Sequence, residues 1–410
     1  MKKISLIALG LAAGLSAMAQ PNVVKEAEGL VKGKKFGQAL EVVKPALSDP
    51  STMNTVTPWY LVGKANLGIW DDAQVRSMTP GEVQPTPEEM AAASRALVEA
   101  YNAYVKAMPL DQLPDAKGKV KPKHTKEMRK SIGENYRGYL NAGLNLYNVQ
   151  DYPGAYAAWD LYVNLPNDEN ADPKAFVADA DSTVGEIAYY QALAAFFSKD
   201  FENALNKVQK ALSLGYEAKN VYLVGLEAAD ATKNTSASSE FARKGNVKYG
   251  ADDISFLAGI INSELAKDNY PACYEAIDES FSVAGSDSIK SLLYNVKAIV
   301  NEREGKIEDA KANLSESIKL APQNAKSYFD MGRLLQNEVA AMEDTADDAT
   351  RLNVLVPKIK DAISYYEKSY ELDDTQSSLP QYIYRLYYGL DQNYHLGQEY
   401  ADKAEYWKNM

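Results

Sequence analysis

Histidine-dependent catalysis needs a base beside a nucleophile, and this sequence offers few such bases. It contains two histidines, His124 and His395, and one cysteine, Cys273. A serine or cysteine nucleophile is normally activated by a histidine within hydrogen-bond distance. His124 lies in a lysine-rich stretch and His395 near the last predicted helix, and neither accompanies a nucleophile motif such as Gly-x-Ser-x-Gly. The sequence therefore predicts a protein that is not an enzyme and has no catalytic residues.

Ligands for metals and cofactors are equally scarce. A zinc site needs clustered cysteine and histidine side chains, and the sequence has no such cluster. An acidic stretch lacks the glycine-centred loop of twelve residues that shapes a regular calcium site, so a solvated acidic loop is favoured over a calcium site. Its members are Asp168, Glu169, Asp172, Asp179 and Asp181. We expect no metal and no cofactor, and we interpret Cys273 as a small packing residue.

Positive charge is concentrated in one stretch. It contains Lys117, Lys119, Lys121, Lys123, Lys126, Arg129 and Lys130, with Glu127 as the one opposing charge. Such a cluster can bind an anion or dock a partner. The favoured alternative is a solvated linker whose charge offsets the acidic bulk of the molecule. Because the whole chain has a formal net charge of −12, nucleic acid is not expected as a partner.

Tyrosine is concentrated near the C-terminus. Ten of the 28 tyrosines lie between residues 365 and 406, and Tyr384, Tyr387 and Tyr388 fall on one face of a predicted helix. A tyrosine ring is apolar and its hydroxyl needs water or a partner, so the residue suits recognition of peptides, proteins or sugars. The same residues suit the last element of a helical array, where the core meets solvent. Both interpretations stay open, and capping is favoured.

The elements that position these residues are predicted by a repeated spacing of twelve. The pairs are Ala27 and Ala39, Gly143 and Ala155, Ala192 and Ala204, Leu226 and Ser238, Ile261 and Cys273, and Ala298 and Ala310. Further residues follow the second member at intervals of four and three, which places them on one helix face. The pattern predicts pairs of closely packed antiparallel helices joined by short polar turns, such as residues 149–151.

These pairs resemble the tetratricopeptide repeat, whose pattern is a large aromatic residue, Leu-Gly, Tyr, then Ala, Phe and a closing Pro. The residues that carry the resemblance include Trp59, Gly63, Tyr139, Gly143, Leu146, Ala155, Trp159, Pro166, Gly305, Ala310, Leu314, Pro322, Tyr328, Gly332 and Leu335. The resemblance implies an all-α fold, a right-handed solenoid of eight or nine antiparallel helix hairpins. Such a stack is stable because each repeat buries its faces on its neighbours.

The resemblance also implies a binding surface, because the first helices of such repeats line the concave side of the array. The corresponding positions are Arg137, Leu140, Leu144, Tyr147 and Asn148 in one repeat and Glu186, Tyr189, Leu193, Phe196 and Phe197 in the next. The aromatic members would form a strip too apolar to stay exposed without a function. Core packing of some of these rings is an equal alternative. The candidate partner-binding residues are Arg137, Tyr147, Asn148, Tyr189, Phe196, Phe197, Tyr384, Tyr387 and Tyr388.

Departures from the repeat length predict the irregular segments. Residues 71–86 are expected to be a loop or an extension of both flanking helices, with Thr86, Pro87 and Glu89 forming a helix start and a capping box. Residues 338–352 are expected to extend a helix pair. Residues 110–126 and 166–182 are expected to be linkers, the second with about one helical turn near Phe176. We expect N-terminal repeats over 20–126, a central array over 127–378 and a capping helix pair over 379–410.

The N-terminus has the features of a secretory signal peptide over residues 1–19. Lys2 and Lys3 precede an apolar run, and Ala17-Met18-Ala19 matches a signal peptidase site. The apolar run is too short for a membrane-spanning helix, which needs about 20 residues. We therefore expect an exported periplasmic protein that does not span the membrane, with a peripheral position at the outer membrane left open.

The functional prediction follows from both the residues and the resemblance. We expect a non-enzymatic periplasmic scaffold or adaptor that binds a protein or peptide in a concave groove. The alternative is a glycan- or small-molecule-binding module of the cell envelope that uses tyrosines as stacking platforms. The oligomeric state is left open.

Overall fold

The computed structural model describes residues 22–115 and 117–410, so the predicted signal peptide lies outside the described residues. These residues are mainly helical, and one isolated β-bridge joins Pro114 and Val120. The chain divides into two compact units at Thr232 and Lys233. The all-α class predicted from the sequence is confirmed.

The first unit is built from consecutive helices. They are residues 22–32 (α1), Phe36–Val43 (α2), Val56–Met78 (α3), Pro87–Asp111 (α4), Thr125–Glu134 (α5), Tyr136–Asn148 (α6), Tyr152–Asn164 (α7), Asp181–Phe197 (α8), Phe201–Ser213 (α9) and Lys219–Ala231 (α10). Helix α3 pairs with α4, α6 with α7 and α8 with α9, and each pair packs on the next. These are the helix pairs that the spacing of twelve predicts, and they stack as the resemblance implies.

The second unit repeats the arrangement. Its helices are Thr235–Tyr249 (α11), Ser255–Leu265 (α12), Tyr270–Val283 (α13), Asp287–Glu304 (α14), Ile307–Leu320 (α15), Ala325–Glu343 (α16), Asp348–Thr350 (α17), Val356–Leu372 (α18), Leu379–Gln392 (α19) and Gln398–Lys408 (α20). Helix α12 pairs with α13, α14 with α15, α16 with α18 and α19 with α20. A π-helical segment, Arg351–Leu355, joins α17 to α18.

Small residues allow the paired helices to approach closely. A Cβ atom on Gly143 of α6 would lie 2.2 Å from the indole nitrogen of Trp159 in α7, and one on Gly63 of α3 would lie 2.3 Å from the ring of Tyr104 in α4. Real Cβ atoms do not approach other atoms so closely, so each glycine makes room for the ring of the partner helix. Cys273 is buried in α13 at the position of the repeated alanine, and burial raises the pKa of its thiol.

The irregular segments are more structured than simple linkers. The residues around 71–86 that exceed the usual repeat length lie mainly in long helices, and the loop is confined to residues 79–86. Helix α4 begins with the predicted capping box: Thr86 Oγ1 accepts from the amide of Glu89, whose carboxylate accepts from the amide of Thr86. The additional residues at 338–352 are also largely helical, and the helix is interrupted at residues 344–347. Around Phe176 the backbone forms turns and bends rather than a helical turn.

Candidate functional site

Three aromatic rings meet where the hairpins α6–α7 and α8–α9 turn. Tyr147 lies near the end of α6, Tyr152 begins α7, and Phe197 ends α8. The ring centroids of Tyr147 and Tyr152 are 5.3 Å apart, those of Tyr152 and Phe197 5.2 Å, and those of Tyr147 and Phe197 6.4 Å. We call these three residues the edge cluster. Distances of this size are typical of interacting aromatic pairs.

The turn between α6 and α7 sets the position of Tyr152. Gln150 adopts a left-handed conformation with φ 63°, which ends α6 and reverses the chain. Asp151 then caps α7 by accepting a 3.1 Å hydrogen bond from the amide of Gly154. The carboxylate of Asp151 also binds the guanidinium of Arg95 in α4 at 2.6 Å. The turn is therefore anchored to the neighbouring hairpin, and Tyr152 starts its helix at a fixed point.

Trp159 forms the base of the edge cluster. Its ring is fully buried, its centroid is 5.7 Å from that of Tyr147, and its Nε1 donates to the carbonyl of Leu140 at 3.1 Å. A buried indole whose N–H is satisfied is held in one orientation. The edge cluster consequently rests on a rigid part of the core.

The outer surface of the site is apolar with one amide. Phe197 is 50% exposed and Leu144 is 39% exposed, and Asn148 is also exposed. Leu144, Tyr147 and Asn148 share one face of α6 because they are three and four residues apart. Phe196 is half-buried and packs edge-on against Phe197 and Phe201 at 6.0 and 5.4 Å. The arrangement offers a shallow surface for an apolar group and a hydrogen-bonding partner.

Two predicted site residues lie apart from the edge cluster. Tyr189 is 8% exposed, packs against Tyr190 and Tyr216 at 5.8 and 5.7 Å, and has its pKa raised by burial. Its burial favours the core-packing alternative for this ring, and its role in partner binding stays a prediction. Arg137 is exposed and binds the carboxylate of Asp179, which also accepts from the hydroxyl of Tyr162 at 2.8 Å.

The predicted C-terminal residues divide between core and surface. Tyr387 is 5% exposed and donates a 2.8 Å hydrogen bond to Glu367. Tyr384 is half-buried and its ring lies 5.8 Å from that of Tyr388, which is 49% exposed. Lys403 lies over the ring of Tyr387 at 5.6 Å. The structure brings Tyr384 and Tyr388 together but places Tyr387 in the core of its unit.

A junction of the two predicted linkers was missed by sequence reasoning. The amide of Asp172 donates to the carbonyl of Arg129 in α5 at 2.9 Å, and Nη2 of Arg129 donates to the carbonyl of Ala171 at 3.1 Å. Gly133 of α5 leaves room for Ala175 and Phe176. The charge and proline content of the two segments gave no sign of a contact between residues about 40 apart. Gly133 was the one available signal, because a glycine inside a helix can mark a close approach.

The first linker is fixed by Asp111. Its carboxylate accepts hydrogen bonds from the amides of Lys123, His124 and Thr125 at 3.1, 2.8 and 2.8 Å. Burial acts to raise the pKa of Asp111, but these bonds hold it below the ordinary value. His124 stacks on Tyr60 of α3 with ring centroids 4.0 Å apart. The C-terminal end of the first linker, residues 123–125, is thus tied to α3 and α4.

The described residues contain neither a candidate metal site nor a candidate membrane-spanning helix. No three of their histidine, cysteine, aspartate and glutamate side chains are grouped in a way that could hold a metal ion. Within residues 22–115 and 117–410, no helix has both the length and the apolar character required to cross a membrane.

Comparisons with known proteins found distant structural similarity. No protein-family model and no curated protein matches the chain. YrrB, described as a TPR protein with an unusual peptide-binding site, is 11% identical, with 50% of this chain and 97% of YrrB covered and a TM-score of 0.31. A TPR repeats protein from Bacteroides fragilis NCTC 9343 is 15% identical, with 61% of this chain and 97% of that protein covered and a TM-score of 0.29.

A third similar structure is the TPR2AB domain of yeast Sti1 in complex with pHSP90. It is 15% identical, with 75% of this chain and 98% of that chain covered and a TM-score of 0.25. The hairpins of the two units show the close helix pairing that the tetratricopeptide motif implies, so the predicted resemblance is confirmed at the level of the fold.

Proposed function

We propose that this protein is a non-enzymatic scaffold that binds a protein or peptide partner, and that the edge cluster is part of its binding surface. Fold alone does not fix function. The observation that carries the proposal is the exposure of Phe197 beside Tyr147 and Tyr152, on the rigid base formed by Trp159. Aromatic anchors on a rigid support are typical of the residues that dominate binding energy at interfaces.

The two tyrosines support this role through their hydroxyls. No hydrogen bond within the described chain joins the hydroxyl of Tyr147 or Tyr152 to another residue. Tyr147 is half-buried, and burial raises its pKa. A tyrosine hydroxyl is protonated at neutral pH and can donate a hydrogen bond. With Asn148 nearby on α6, the surface can combine apolar contact with hydrogen bonding.

We further propose that the protein works in the periplasm after export. This part rests on Lys2, Lys3 and the Ala17-Met18-Ala19 cleavage pattern. A direct check is the N-terminal sequence of the mature protein in a cell fractionation experiment. Cleavage after Ala19 and release with the periplasmic fraction are expected, whereas an intact N-terminus in the cytosol would contradict export.

The binding proposal is tested by crosslinking in the cell envelope followed by affinity capture. Wild type should recover a stoichiometric protein or peptide partner, and Leu144→Ala combined with Phe197→Ala should weaken its binding by about tenfold or more. Both side chains are substantially exposed, so the helical signal should be unchanged. Leu352→Ala combined with Tyr406→Ala is the matched control, because these side chains of the second unit are similarly exposed and are not among the predicted binding residues. Equal capture by all three proteins would contradict the proposed site.

Glycan binding is the second candidate function. It is favoured by the exposed ring of Tyr388 and the partly exposed ring of Tyr382, because exposed aromatic faces can stack on sugars. The same capture experiment tests this candidate. Recovery of a glycan without a stoichiometric protein would support glycan binding and contradict the scaffold proposal. The glycan should then be lost in Tyr388→Ala and kept in the Leu144 and Phe197 variant.

A further inference from the structure

The two linkers meet beside α5 at an open cleft of about 530 Å³. Its walls include Pro122 and Pro173, and its charged lining residues are Lys126, Arg129, Lys174 and Asp172. Lys126 and Arg129 are three residues apart in α5, so they project from one face of the helix. The cleft therefore combines apolar walls with three cations and one carboxylate.

Hydrogen bonds hold the cleft in shape. The bonds between Arg129 and the segment 171–172 fix the second linker against α5. On the opposite side, the side chain of Gln112 donates to the hydroxyl of Thr125 at 3.2 Å, and that hydroxyl donates to Asp111 at 2.8 Å. A site that is formed before binding loses less conformational entropy when a ligand arrives.

The other charges of α5 already have partners. Glu127 accepts from Lys64 at 2.9 Å and from Tyr60 at 2.8 Å, and Lys130 pairs with Glu134 at 3.3 Å. In contrast, neither Lys126 nor Lys174 forms an ion pair within residues 22–115 and 117–410. The side chain of Asp172 accepts from the amide of Lys174 at 3.0 Å. The positive charge of Lys126 and Lys174 is consequently available to a ligand.

We propose that this cleft binds the carboxylate groups of an acidic peptide segment. The inference deepens the proposed function, because it names the chemistry of the partner, and it rests on that function. A carboxylate matches the planar donors of Arg129, and the lysines can neutralise a second acidic side chain. The proline walls suit the apolar parts of a peptide chain. The excess of cations in the cleft is complementary to an acidic peptide and repels a basic one.

The test uses the full-length mature protein and a fluorescein-labelled hexaglutamate peptide with an amidated C-terminus. Fluorescence anisotropy at low salt should show saturable binding. Lys126→Gln combined with Lys174→Gln should weaken it by about tenfold, since each removes one charged contact. Both lysines are exposed, so circular dichroism should show an intact fold. The matched control is Lys117→Gln combined with Lys119→Gln, which makes the same change of charge in the first linker, outside the cleft.

Several outcomes would overturn the proposal. The first is that hexaglutamate does not bind to wild type. The second is that the two double variants weaken hexaglutamate binding equally, because this would indicate attraction by general charge. The third concerns competition at equal charge. If inorganic phosphate displaces the labelled peptide as effectively as unlabelled hexaglutamate does, the assignment to carboxylates is overturned. Selective weakening by the Lys126 and Lys174 variant, with weak competition by phosphate, supports it.

The result is separable from the test of the proposed function. If the envelope partner is lost in the Leu144 and Phe197 variant but hexaglutamate does not bind wild type, the scaffold function stands and the cleft inference fails. If hexaglutamate binds through the cleft and capture recovers no protein, the cleft binds acidic peptides and the scaffold proposal fails.

Discussion

The edge cluster of the first unit and the tyrosine-rich helices α18–α20 of the second contain similar residues in opposite arrangements. In the second unit, Tyr366 donates to Gln336, Tyr387 to Glu367 and Tyr394 to Glu343, at 2.8, 2.8 and 3.0 Å. In the edge cluster, by contrast, the tyrosine hydroxyls have no such partner in the part of the chain that the structure describes.

This difference separates aromatic residues that build a core from those that offer a surface. A buried tyrosine needs a partner for its hydroxyl, and the second unit provides one for each of these rings. An exposed ring on a rigid base leaves both its apolar area and its hydroxyl to another molecule. Composition alone cannot separate the two cases, because the distinction lies in the neighbours of each ring.

The largest expected effect is removal of the ring beneath the edge cluster. Trp159→Ala should lower the free energy of unfolding by about 3–5 kcal/mol, because it leaves a cavity beside Gly143 and removes the bond to Leu140. Urea unfolding measures the loss, and amide hydrogen exchange should place it in α6 and α7. Tyr366→Ala should cost a similar amount in the second unit while leaving partner capture through the edge cluster unchanged. A loss below about 1 kcal/mol for Trp159→Ala would contradict the packing described here.

One substitution should have opposite signs in the two regions. Gly143→Ala should destabilise by about 1–3 kcal/mol, because its Cβ would lie 2.2 Å from Trp159. Gly389→Ala in α19 should stabilise by about 0.5–1 kcal/mol, because the nearest atom is 3.9 Å away and alanine favours the helix. Urea midpoints of the two variants test the pair. Stabilisation by both would show that the helices α6 and α7 can separate without cost.

Removing one hydroxyl should distinguish the structural tyrosines from the surface ones. Tyr387→Phe should cost about 1 kcal/mol, because it removes the bond to Glu367 from a buried ring. Tyr147→Phe should change stability by less than about 0.5 kcal/mol. Thermal unfolding of the two variants provides the measurement. Equal losses would mean that the hydroxyl of Tyr147 has a structural partner as well.

The sequence predicted the local elements better than the contacts between distant segments. The spacing of Gly143 and Ala155 and the capping box at Thr86 are local patterns, and they indicated hairpins and a helix start that the structure contains. Local patterns succeed because helix pairing and capping depend on residues a few turns apart. The turn after α6 is an exception. Gln150 takes a positive φ there, a conformation that normally favours glycine, so its residue type did not indicate this conformation.

The candidate site was only partly predictable for the same reason. Tyr147 and Phe197 were identified from their positions in the repeat, but Tyr152 was not, because it belongs to the second helix of its hairpin. Tyr189 and Phe197 differ in exposure although the same rule selected both. The cleft at Lys126 and Lys174 depends on a fold of the two linkers that no repeat pattern encodes. Long-range packing decides these cases, and periodicity along the chain does not report it.

The smallest effect concerns acid stability in the second unit. Glu338 of α16 binds Lys311 of α15 at 2.9 Å and Lys358 of α18 at 2.7 Å. Burial acts to raise the pKa of Glu338, but the bonds and charges of the two lysines hold it below its ordinary value of 4.5. A lowered pKa in the folded state stabilises the protein above the unfolded value, and this stabilisation is lost as the pH falls through the folded value.

Glu338→Gln should therefore cost less than about 1 kcal/mol at neutral pH, with the difference from wild type shrinking as the pH falls below 4.5. Urea unfolding at a series of pH values, with hydrogen exchange to locate the change in α15–α18, measures this. The edge cluster has no carboxylate among its three rings, so Phe197→Ala should show no comparable pH dependence relative to wild type. A constant difference between Glu338→Gln and wild type down to about pH 3 would mean that the two lysines do not lower the pKa of this carboxylate. Such a result would remove acid sensitivity as a distinction between the ion-paired helices of the second unit and the aromatic surface of the first.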